Sequence, residues 1–367
     1  MNIRKHLGSL LLLGALAGPL LAGCGDTATT PTVVTSGNTG AIPGGTTGIP
    51  DKVRLQLKWL HQAQFAGYYV AADKGYYKAR NLDVELLPGG PDVVPSQKVA
   101  TGAADVGIDW VGSLLANRDK GQPLIDVGQF YQSSGLYLIS KKSAGINSPA
   151  DLKGKKVGVW TGGNEFEFRA LMDKYKFDNS IDNNKDMTVI KQGFEMDTFL
   201  NGQLDAASAT TYNEYPVVLE AGVKPEDINI INYNSEGVGM LEDHTFVTED
   251  TLKNRRDVLI RFLAASQQGW IDAVKDQKVA VDAVMGRVDP AGTTRVHQEN
   301  MMREVAKLVQ PEGTTPQQIG FIVPAKFQTT ADIALKFNVI SKPAQNAYTN
   351  DLIEAAAKLN AQTTSQK

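Results

Sequence analysis

Cysteine is almost absent from this chain, and its scarcity excludes several kinds of site. Cys24 is the single cysteine among the 367 residues, so a disulfide within the chain is excluded and no cysteine remains for catalysis or metal binding in the folded part. His244 and His297 lack the spacing of metal ligands. Glu242 and Asp243 are adjacent in sequence, which disfavours their convergence as a catalytic carboxylate pair. We therefore expect neither a metal ion nor a cofactor.

The sequence also lacks long runs of positively charged residues and, after its start, long runs of hydrophobic residues. The sequence has no extended Lys/Arg run and its formal net charge is −3, which argues against nucleic acid or an anionic surface as a partner. Beyond the signal-like start, no hydrophobic stretch is long enough to span a bilayer. The pair Gly162-Gly163 precedes a predicted helix, but it has neither the spacing nor the Lys-Ser/Thr ending of a Walker loop.

Residues 1–23 have the pattern of a secretory signal peptide. A basic start is followed by an apolar run at 10–16, which is too short for a typical membrane span. The segment closes with Leu-Ala-Gly-Cys at 21–24, which closely resembles the lipobox of bacterial lipoproteins. The resemblance implies cleavage before Cys24, a diacylglycerol on its sulfur, and anchoring at the extracytoplasmic face of the cell membrane. The alternative is an ordinary secretion signal with a chance cysteine.

Residues 24–50 combine the predicted lipidated cysteine with a tether of low complexity. After Cys24 the segment is mostly Gly, Thr, Pro, Ser and Val, and Asp26 carries its only charge. Such a composition buries too little apolar surface to offset the entropy of ordering, so we expect a flexible tether. The remaining residues, about 300, suffice for two domains of ordinary size.

The predicted fold opens with a strand and a helix that are separated by a polar loop. Residues 53–59 alternate in hydrophobicity, as a strand with one buried face does. Phe65, Tyr68 and Tyr69 then recur at helical spacing, and Gly75 ends the helix. Because open α/β sheets bind ligands outside the carboxyl ends of their strands, we expect a binding site in this loop. The competing interpretation is that the loop only caps the helix.

A motif of helix, glycine, two residues, aspartate and short strand occurs twice. The copies lie at 102–108 and 202–209, and each opens onto polar and aromatic residues. The repetition predicts two similar α/β lobes whose strand ends face a shared cleft. We place lobe I at 51–139 plus 238–367 and lobe II at 140–237. 

Three local patterns complete these predictions. Residues 238–241 are predicted to be a strand that returns the chain to lobe I. Asn164, with Glu167 three residues later, has the spacing of a helix capping box. From residue 248 onward the pattern is mostly helical, with segments at 252–274, 278–285, 293–309 and 348–359.

The ordered set of local motifs resembles a known family. The motifs are Leu-Lys-Trp at 57–59, Gly-Tyr-Tyr-Val-Ala at 67–71, Lys-Gly-Tyr-Tyr-Lys at 74–78, Gly-Ala-Ala-Asp-Val-Gly at 102–107 and Asp-Leu-Lys-Gly-Lys-Lys-Val-Gly-Val at 151–159, with further matches between 330 and 350. In this order they are similar to the substrate-binding proteins of ABC importers that are related to thiamin-pyrimidine synthases and alkanesulfonate receptors. The resemblance implies an α/β chain with the type II periplasmic-binding-protein fold, in which two α/β lobes close on a ligand.

The family resemblance also implies a function. Such a receptor delivers a small solute to an ABC permease and its ATPase, and family members bind a thiamin pyrimidine precursor, riboflavin or alkanesulfonates. Eukaryotic relatives are pyrimidine synthases that use a histidine of their own chain and a cysteine-rich motif. Because that motif is missing here, we expect no enzymatic activity. The alternatives are a pyrimidine-synthase-like enzyme and a ligand-sensing lipoprotein with a different membrane partner.

The candidate ligand-binding residues are aromatic, amide and carboxylate side chains near predicted strand ends. They are Trp59, Gln62, Gln64, Tyr68, Asp109, Trp110, Tyr131, Trp160, Asn164, Glu165, Tyr212, Glu214, Glu236 and Asp243. Aromatic rings stack on planar heterocycles, and polar side chains bind their edges or hydroxyl groups. No Arg or Lys cluster accompanies them beyond Lys58 and Arg169, so a sulfonate is disfavoured. We expect a vitamin-like heterocycle, with riboflavin ahead of the pyrimidine precursor.

Some of these residues also have a purely structural interpretation. Glu165 and Arg169 have the i,i+4 spacing of an ion pair on a solvated helix face. Glu214 and Glu236 have the character of ordinary surface charges. Trp59 is equally well placed as a core residue.

Overall fold

The computed structural model describes residues 48–365 of the chain. These residues form one compact unit by themselves. The predicted signal peptide, the predicted lipidation at Cys24 and nearly all of the predicted tether lie outside the described residues. In the described part, no helix combines the length and the apolar character needed to cross a membrane.

Within residues 48–365 the chain forms ten strands and twelve α-helices. The strands are β1 (Asp51–Gln56), β2 (Leu82–Leu87), β3 (Val106–Asp109), β4 (Leu124–Gln129), β5 (Leu136–Lys141), β6 (Lys156–Val159), β7 (Thr188–Lys191), β8 (Ala206–Thr210), β9 (Ile228–Asn232) and β10 (His244–Thr248). The helices are α1 (Ala66–Asp73), α2 (Pro95–Ala100), α3 (Val111–Asp119), α4 (Phe166–Lys174), α5 (Asp197–Leu200), α6 (Glu214–Glu220), α7 (Glu249–Asn254), α8 (Arg256–Lys275), α9 (Gln277–Met285), α10 (Arg295–Val309), α11 (Pro324–Lys336) and α12 (Asp351–Ser365).

The strands form two five-stranded sheets with the same plan. The first sheet has the order β2-β1-β3-β10-β4 and the second has the order β7-β6-β8-β5-β9. In each sheet four strands run in one direction, and the fourth strand in the order runs antiparallel to both of its neighbours. That antiparallel strand always arrives from the other sheet, because β5 follows β4 and β10 follows β9. The predicted two-lobe α/β fold is confirmed.

Two crossover segments, 130–135 and 233–243, connect the sheets. Since β5 begins at Leu136 and belongs to the second sheet, we propose that the lobes divide at these crossovers. The first crossover lies a few residues before the predicted boundary at 139/140, and the second contains the predicted boundary at 237/238.

The repeated aspartate has the same structural role in both lobes. In the first lobe the Arg54 N–H donates to Asp105 Oδ2 at 2.8 Å, and the Asp105 N–H donates to the Arg54 carbonyl at 3.0 Å. In the second lobe the Lys156 N–H donates to Asp205 Oδ2, and the Asp205 N–H donates to the Lys156 carbonyl, both at 2.8 Å. Each carboxylate thus holds the start of β3 or β8 against the parallel neighbouring strand, β1 or β6. The repeated sequence motif therefore has a structural role. It acts at the amino ends of β3 and β8, so the carboxyl ends of these strands remain available for a binding site.

Close helix packing fixes the position of the loop after β1. A Cβ atom added to Gly67 in α1 would lie 2.1 Å from Trp270 Cδ2 in α8. A Cβ atom on Gly269 would lie 2.1 Å from the Gly67 carbonyl oxygen. Only glycine permits this approach of the two helices. The polar loop at 57–65 is thereby held on a rigid support.

The predicted strand at 238–241 is wrong. The backbone there bonds to groups outside any sheet: the Leu241 N–H donates to Thr330 Oγ1 at 3.1 Å, and the Leu241 carbonyl accepts from the Val111 N–H at 3.0 Å. These partners hold an extended crossover instead of a ladder. The returning strand is β10, which begins at His244.

The predicted capping box at Asn164 is also wrong. Helix α4 begins at Phe166, and no side chain caps it. The Glu167 carboxylate instead accepts hydrogen bonds from the Met240 N–H and, at 3.2 Å, from Ser134 Oγ. Tertiary partners in both crossovers therefore outcompete the local cap.

The helical C-terminal part is confirmed with altered boundaries. The predicted helix at 252–274 is divided at Arg255 into α7 and α8, and the last helix begins at Asp351. Helix α11 was not predicted, although Pro324 at its first turn and the buried Phe327, Ala331 and Ala334 give it a clear start and face.

Candidate functional site

A small cavity lies where the carboxyl ends of strands from both sheets meet. Its lining comes from the segments that follow β1, β3, β6, β7 and β8. The lining residues are Lys58, Trp59, Gln62, Gln64, Trp110, Trp160, Asn164, Phe194, Thr210, Tyr212, Asn213 and Glu214. The free volume is about 50 Å³. The cavity thus occupies the position expected for a ligand site of this sheet arrangement, but its free volume is small.

Aromatic side chains dominate the cavity wall. Trp59 from the first lobe contacts Phe194 from the second, with ring centroids 4.2 Å apart and planes inclined by 53°. Trp110 Nε1 donates to Asp243 Oδ1 at 3.2 Å, and Trp160 Nε1 donates to the Gly193 carbonyl at 2.9 Å. Because the protein already satisfies both indole N–H groups, these rings offer apolar surface to the cavity rather than hydrogen-bond donors.

Lys58, the positively charged residue of the cavity lining, is neutralised by another side chain of the protein. Lys58 Nζ lies 2.6 Å from Asp109 Oδ1, and both side chains are largely buried. The same ammonium lies 5.2 Å from the centroid of the Trp110 ring. Asp109 Oδ1 also accepts from the Trp110 N–H at 2.8 Å. Lys58 therefore has its counter-ion at the site and is poorly suited to hold a ligand anion.

Glu214, the acidic residue of the cavity lining, also has hydrogen-bond partners within the protein for both of its carboxylate oxygens. Its Oε2 accepts from the Thr210 N–H at 2.9 Å and from Thr210 Oγ1 at 2.6 Å, and its Oε1 accepts from Asn213 Nδ2 at 2.7 Å. Burial raises the pKa of Glu214, and these hydrogen bonds oppose the rise. Glu214 therefore holds the loop between β8 and α6 in shape.

Two glutamines and a buried aspartate form a row of hydrogen bonds beside the aromatic wall. Gln62 Nε2 donates to Gln64 Oε1 at 2.6 Å, and Gln64 Nε2 donates to Asp243 Oδ2 at 2.8 Å. Burial raises the pKa of Asp243 to about 7, while the hydrogen bond from Gln64 and the charge of Lys58 act to lower it. The polar edge of the cavity is thus made of amides backed by one carboxyl group.

The structure gathers eight of the fourteen sequence-predicted site residues along this cavity. They are Trp59, Gln62, Gln64, Trp110, Trp160, Asn164, Tyr212 and Glu214. Four more lie directly behind the lining: Asp109 and Asp243 make the contacts described above, Tyr68 Oη lies 3.1 Å from Thr245 Oγ1, and Tyr131 Oη donates to the Gln64 carbonyl at 3.1 Å.

Glu165 and Glu236 do not reach the cavity. Glu165 accepts from the Gly163 N–H at 2.8 Å and so shapes the turn before α4, in place of the i,i+4 pair with Arg169. Glu236 binds Lys174 Nζ at 2.7 Å and the Tyr175 hydroxyl at 2.9 Å at the far end of the same helix. Both carboxylates find nearby donors on their own lobe.

Sequence reasoning did not select Phe194, Thr210 or Asn213 as site residues. Phe194 follows β7, a strand that was not predicted from the sequence, and the β-branched run Thr-Val-Ile at 188–190 is the signal that could have revealed it. Thr210 and Asn213 belong to the same polar segment as the selected Tyr212 and Glu214, so the repeated motif that precedes this segment could have pointed to them.

A wider groove continues from the cavity to the surface. It has a volume of about 820 Å³ and shares Trp59, Gln62, Phe194 and Asn213 with the cavity. At its rim, His297 in α10 joins the lobes, with Nδ1 3.1 Å from Glu220 Oε2 and Nε2 2.9 Å from Asn213 Oδ1. Asn300 Nδ2 donates to the same Glu220 at 2.8 Å. The rim is thus a polar contact between the lobes.

Comparison with known proteins gives the fold and the family. The aliphatic sulphonate-binding protein SsuA from Escherichia coli superposes with a TM-score of 0.60 at 14% identity, over 81% of this chain and 96% of that one. At such low identity the likeness concerns the fold alone, which is the type II periplasmic-binding-protein fold.

Named relatives fall into two groups. The riboflavin-binding protein RibY from Chloroflexus aurantiacus is 26% identical over 94% of this chain and 97% of its own length. The formylaminopyrimidine-binding protein from Halalkalibacterium halodurans is 24% identical over 72% of this chain and 79% of its own. The second group comprises synthases: the 4-amino-5-hydroxymethyl-2-methylpyrimidine phosphate synthase of Schizosaccharomyces pombe is 26% identical over 42% of this chain and 44% of its own.

The family model described as NMT1/THI5 like matches residues 62–280, a segment that contains the whole second lobe and the cavity lining except Lys58 and Trp59. The chain therefore belongs to the NMT1/THI5-like family.

Proposed function

We propose that this protein is the extracytoplasmic, lipid-anchored solute-binding component of an ABC importer for a vitamin-like aromatic heterocycle, and that riboflavin is the favoured ligand. The observation that carries the proposal is the aromatic cavity between the two lobes, with its amide edge and its internally paired charges. The anchor rests on the lipobox at Cys24, and the importer role rests on the family resemblance of the whole chain.

The cavity chemistry favours a planar ligand without a strong negative charge. Trp59, Trp110 and Trp160 offer ring faces, and stacking on such faces contributes about 0.5–1.5 kcal/mol per pair beyond area burial. Lys58 is already paired with Asp109. A sulfonate or phosphate at this place would therefore compete with a buried carboxylate for one ammonium group.

The dimensions of the cleft favour a ring with a polar extension. The cavity alone, at about 50 Å³, falls well below the roughly 300–1,000 Å³ typical of small-molecule sites, so binding requires the lobes to move apart. The adjoining groove then accepts a hydroxylated tail along Asn213, Glu220 and Thr293. Riboflavin has this shape, and the relative named for riboflavin covers nearly the whole chain.

The second candidate ligand is a thiamin pyrimidine precursor. The formylaminopyrimidine-binding relative supports it, and an aminopyrimidine would use the amide edge without the groove. Riboflavin titration of the chain from residue 44 onward separates the two ligands, with flavin fluorescence and the melting temperature as readouts. We expect saturable one-to-one quenching that Trp160→Leu weakens and the distant Tyr175→Ala leaves unchanged. Stabilisation by an aminopyrimidine without any response to riboflavin would select the second candidate.

The proposed role also excludes catalysis, although some relatives are named as synthases. A synthase that consumes a histidine of its own chain changes the mass of that chain. We therefore expect mass spectrometry to recover both the protein and the bound heterocycle unchanged after prolonged incubation. A ligand-sensing role would bind ligand equally well, and the genes beside this one distinguish it by encoding a sensor kinase in place of a permease and an ATPase.

A further inference from the structure

The row of hydrogen bonds from Asp243 to Gln62 connects a buried ionisable group to the edge of the cavity. Gln62, Gln64 and Asp243 are 8%, 3% and 3% exposed, so water does not compete along the row. Gln62 and Gln64 line the cavity, whereas Asp243 lies behind it. Within the described residues, Gln62 Oε1 takes part in none of the protein hydrogen bonds, and this oxygen ends the row.

The ionisation of Asp243 dictates the direction of every bond in the row. A carboxylate accepts and does not donate, so ionised Asp243 must receive the Gln64 amide hydrogen. Gln64 Oε1 is then free to accept from Gln62 Nε2, and Gln62 offers its carbonyl oxygen as an acceptor. Protonated Asp243 reverses the order: its O–H donates to Gln64 Oε1, Gln64 Nε2 donates to Gln62 Oε1, and Gln62 offers its NH₂ group as a donor.

Trp110 fixes which oxygen of Asp243 takes part. Its Nε1–H donates to Oδ1 at 3.2 Å, so Oδ1 must accept in both states and Oδ2 alone carries the proton. The backbone of Asp243 has a φ of +29°, a conformation that costs energy for any residue except glycine. Because such a conformation persists only where the surrounding structure holds it, the position of Asp243 is fixed. The groups that act electrostatically on this carboxyl group or feel its charge are Lys58, Asp109, Tyr68, Tyr131, Tyr212 and Glu242.

We propose that Asp243 is a positioning residue that sets the hydrogen-bond polarity of the cavity through Gln64 and Gln62. The inference rests on the proposed function and adds a ligand class to it: with Asp243 ionised, the site selects heterocycles that present an N–H or amino donor to Gln62. An imide N–H between two carbonyls and an exocyclic amino group both satisfy this requirement. Ligands with only acceptors at that edge leave Gln62 Oε1 unpaired and are rejected.

Two flavins that differ by one methyl group test the selection. Lumiflavin carries an imide N–H, and 3-methyllumiflavin carries N–CH₃ at the same place. At about pH 8.5, above the pKa of Asp243, we expect the chain from residue 44 onward to bind lumiflavin at least roughly tenfold more tightly. Equal affinities for the two flavins would overturn the proposal.

Asp243→Asn mimics the protonated state, because Trp110 holds the amide oxygen at Oδ1 and directs the NH₂ group toward Gln64. We expect this variant to lose the preference for lumiflavin. The matched control is Asp126→Asn, which alters a fully buried aspartate in β4 that has no contact with the row. The control variant retains the preference, and a loss of preference in it would count against a specific role of Asp243.

A measurement without ligand separates this inference from the proposed function. The side-chain amide ¹⁵N resonances of Gln62 and Gln64, followed against pH, are expected to shift together with a midpoint near the pKa of Asp243, about 7, and to stay constant in Asp243→Asn. Flat resonances in the unaltered chain would refute the reversal of the row. If neither flavin binds while the resonances shift as expected, the flavin function fails and the inference about Asp243 stands.

Discussion

A pair of buried glutamates between the crossovers makes stability depend on pH in a defined direction. Glu242 Oε1 accepts from the Gly135 N–H at 2.7 Å, and Glu167 accepts from the Met240 N–H. The hydroxyl of Ser134 lies 3.2 Å from Glu167 Oε2 and 3.1 Å from Glu242 Oε1, but it has one hydrogen to give. Glu242 Oε2 is buried without a hydrogen-bond partner. Too few donors surround the pair for two negative charges, so the folded protein retains a proton there.

The retained proton fixes the sign of the pH effect. Burial raises the pKa of Glu167 from its ordinary 4.5 to about 8, and burial together with the charge of Glu167 raises the pKa of Glu242. The unfolded chain releases the proton near pH 4.5 and the folded chain releases it only near pH 8. The stabilisation is therefore complete below about pH 4.5 and is lost as the pH rises to about 8. One retained proton corresponds to a slope of about 1.4 kcal/mol per pH unit.

Urea unfolding at pH 5, 6, 7 and 8 measures this slope directly. We expect Glu167→Gln, which keeps the shape but cannot ionise, to remove about 1.4 kcal/mol per pH unit from the decline in unfolding free energy. Over two pH units the variant gains about 3 kcal/mol relative to the unaltered chain. Glu226→Gln, the same change at an exposed glutamate, serves as the control. Parallel pH curves for the unaltered chain and the Glu167 variant would refute the shared proton.

Three further substitutions probe helix packing, cavity entry and lobe closure. Gly269→Ala places a methyl group against Gly67 and is expected to lower the unfolding free energy by about 2–3 kcal/mol in the same urea assay. Phe194→Ala removes the ring that contacts Trp59 across the cavity, so stopped-flow fluorescence is expected to show faster flavin association; an unchanged rate would mean that the ring does not limit entry. Glu220→Ala removes the contact with α10 and is expected to raise the riboflavin Kd about threefold, while an unchanged Kd would show that this rim contact does not hold the lobes together.

Most of the cavity lining could be located from the sequence, because ligands of such sheets bind at the carboxyl ends of strands and strands can be recognised from local sequence patterns. Trp59, Trp110 and Trp160 each follow a strand whose alternation or apolar run is visible, and the carboxyl ends of parallel strands meet at one edge. Glu214 lines the cavity, but its role is local. Its carboxylate accepts hydrogen bonds from Thr210 and Asn213 in the same segment. The pattern therefore found positions more reliably than it found roles.

Contacts between residues far apart in the sequence decided the features that the sequence patterns did not predict. Glu167 has the spacing of a capping residue, yet its partners come from residues 134 and 240, which no local window contains. The segment 238–241 has the apolar character of a strand, but its long-range hydrogen bonds go to α3, α4 and α11. Local propensity is worth a few tenths of a kcal/mol per residue, and buried tertiary hydrogen bonds exceed that.

The sequence by itself determined the two similar lobes and the family, and it predicts a lipid anchor at Cys24, because hydrophobic period, motif order and a unique cysteine are properties of the linear chain. Only the tertiary structure decided that Lys58 is neutralised by Asp109, that Glu167 and Glu242 share one hydroxyl, and that Asp243 lies behind Gln64. Each of these pairs is separated by 51 to 179 residues along the chain. Their energies depend on burial and on distances of about 3 Å, and both arise only when segments far apart in the sequence are folded against one another.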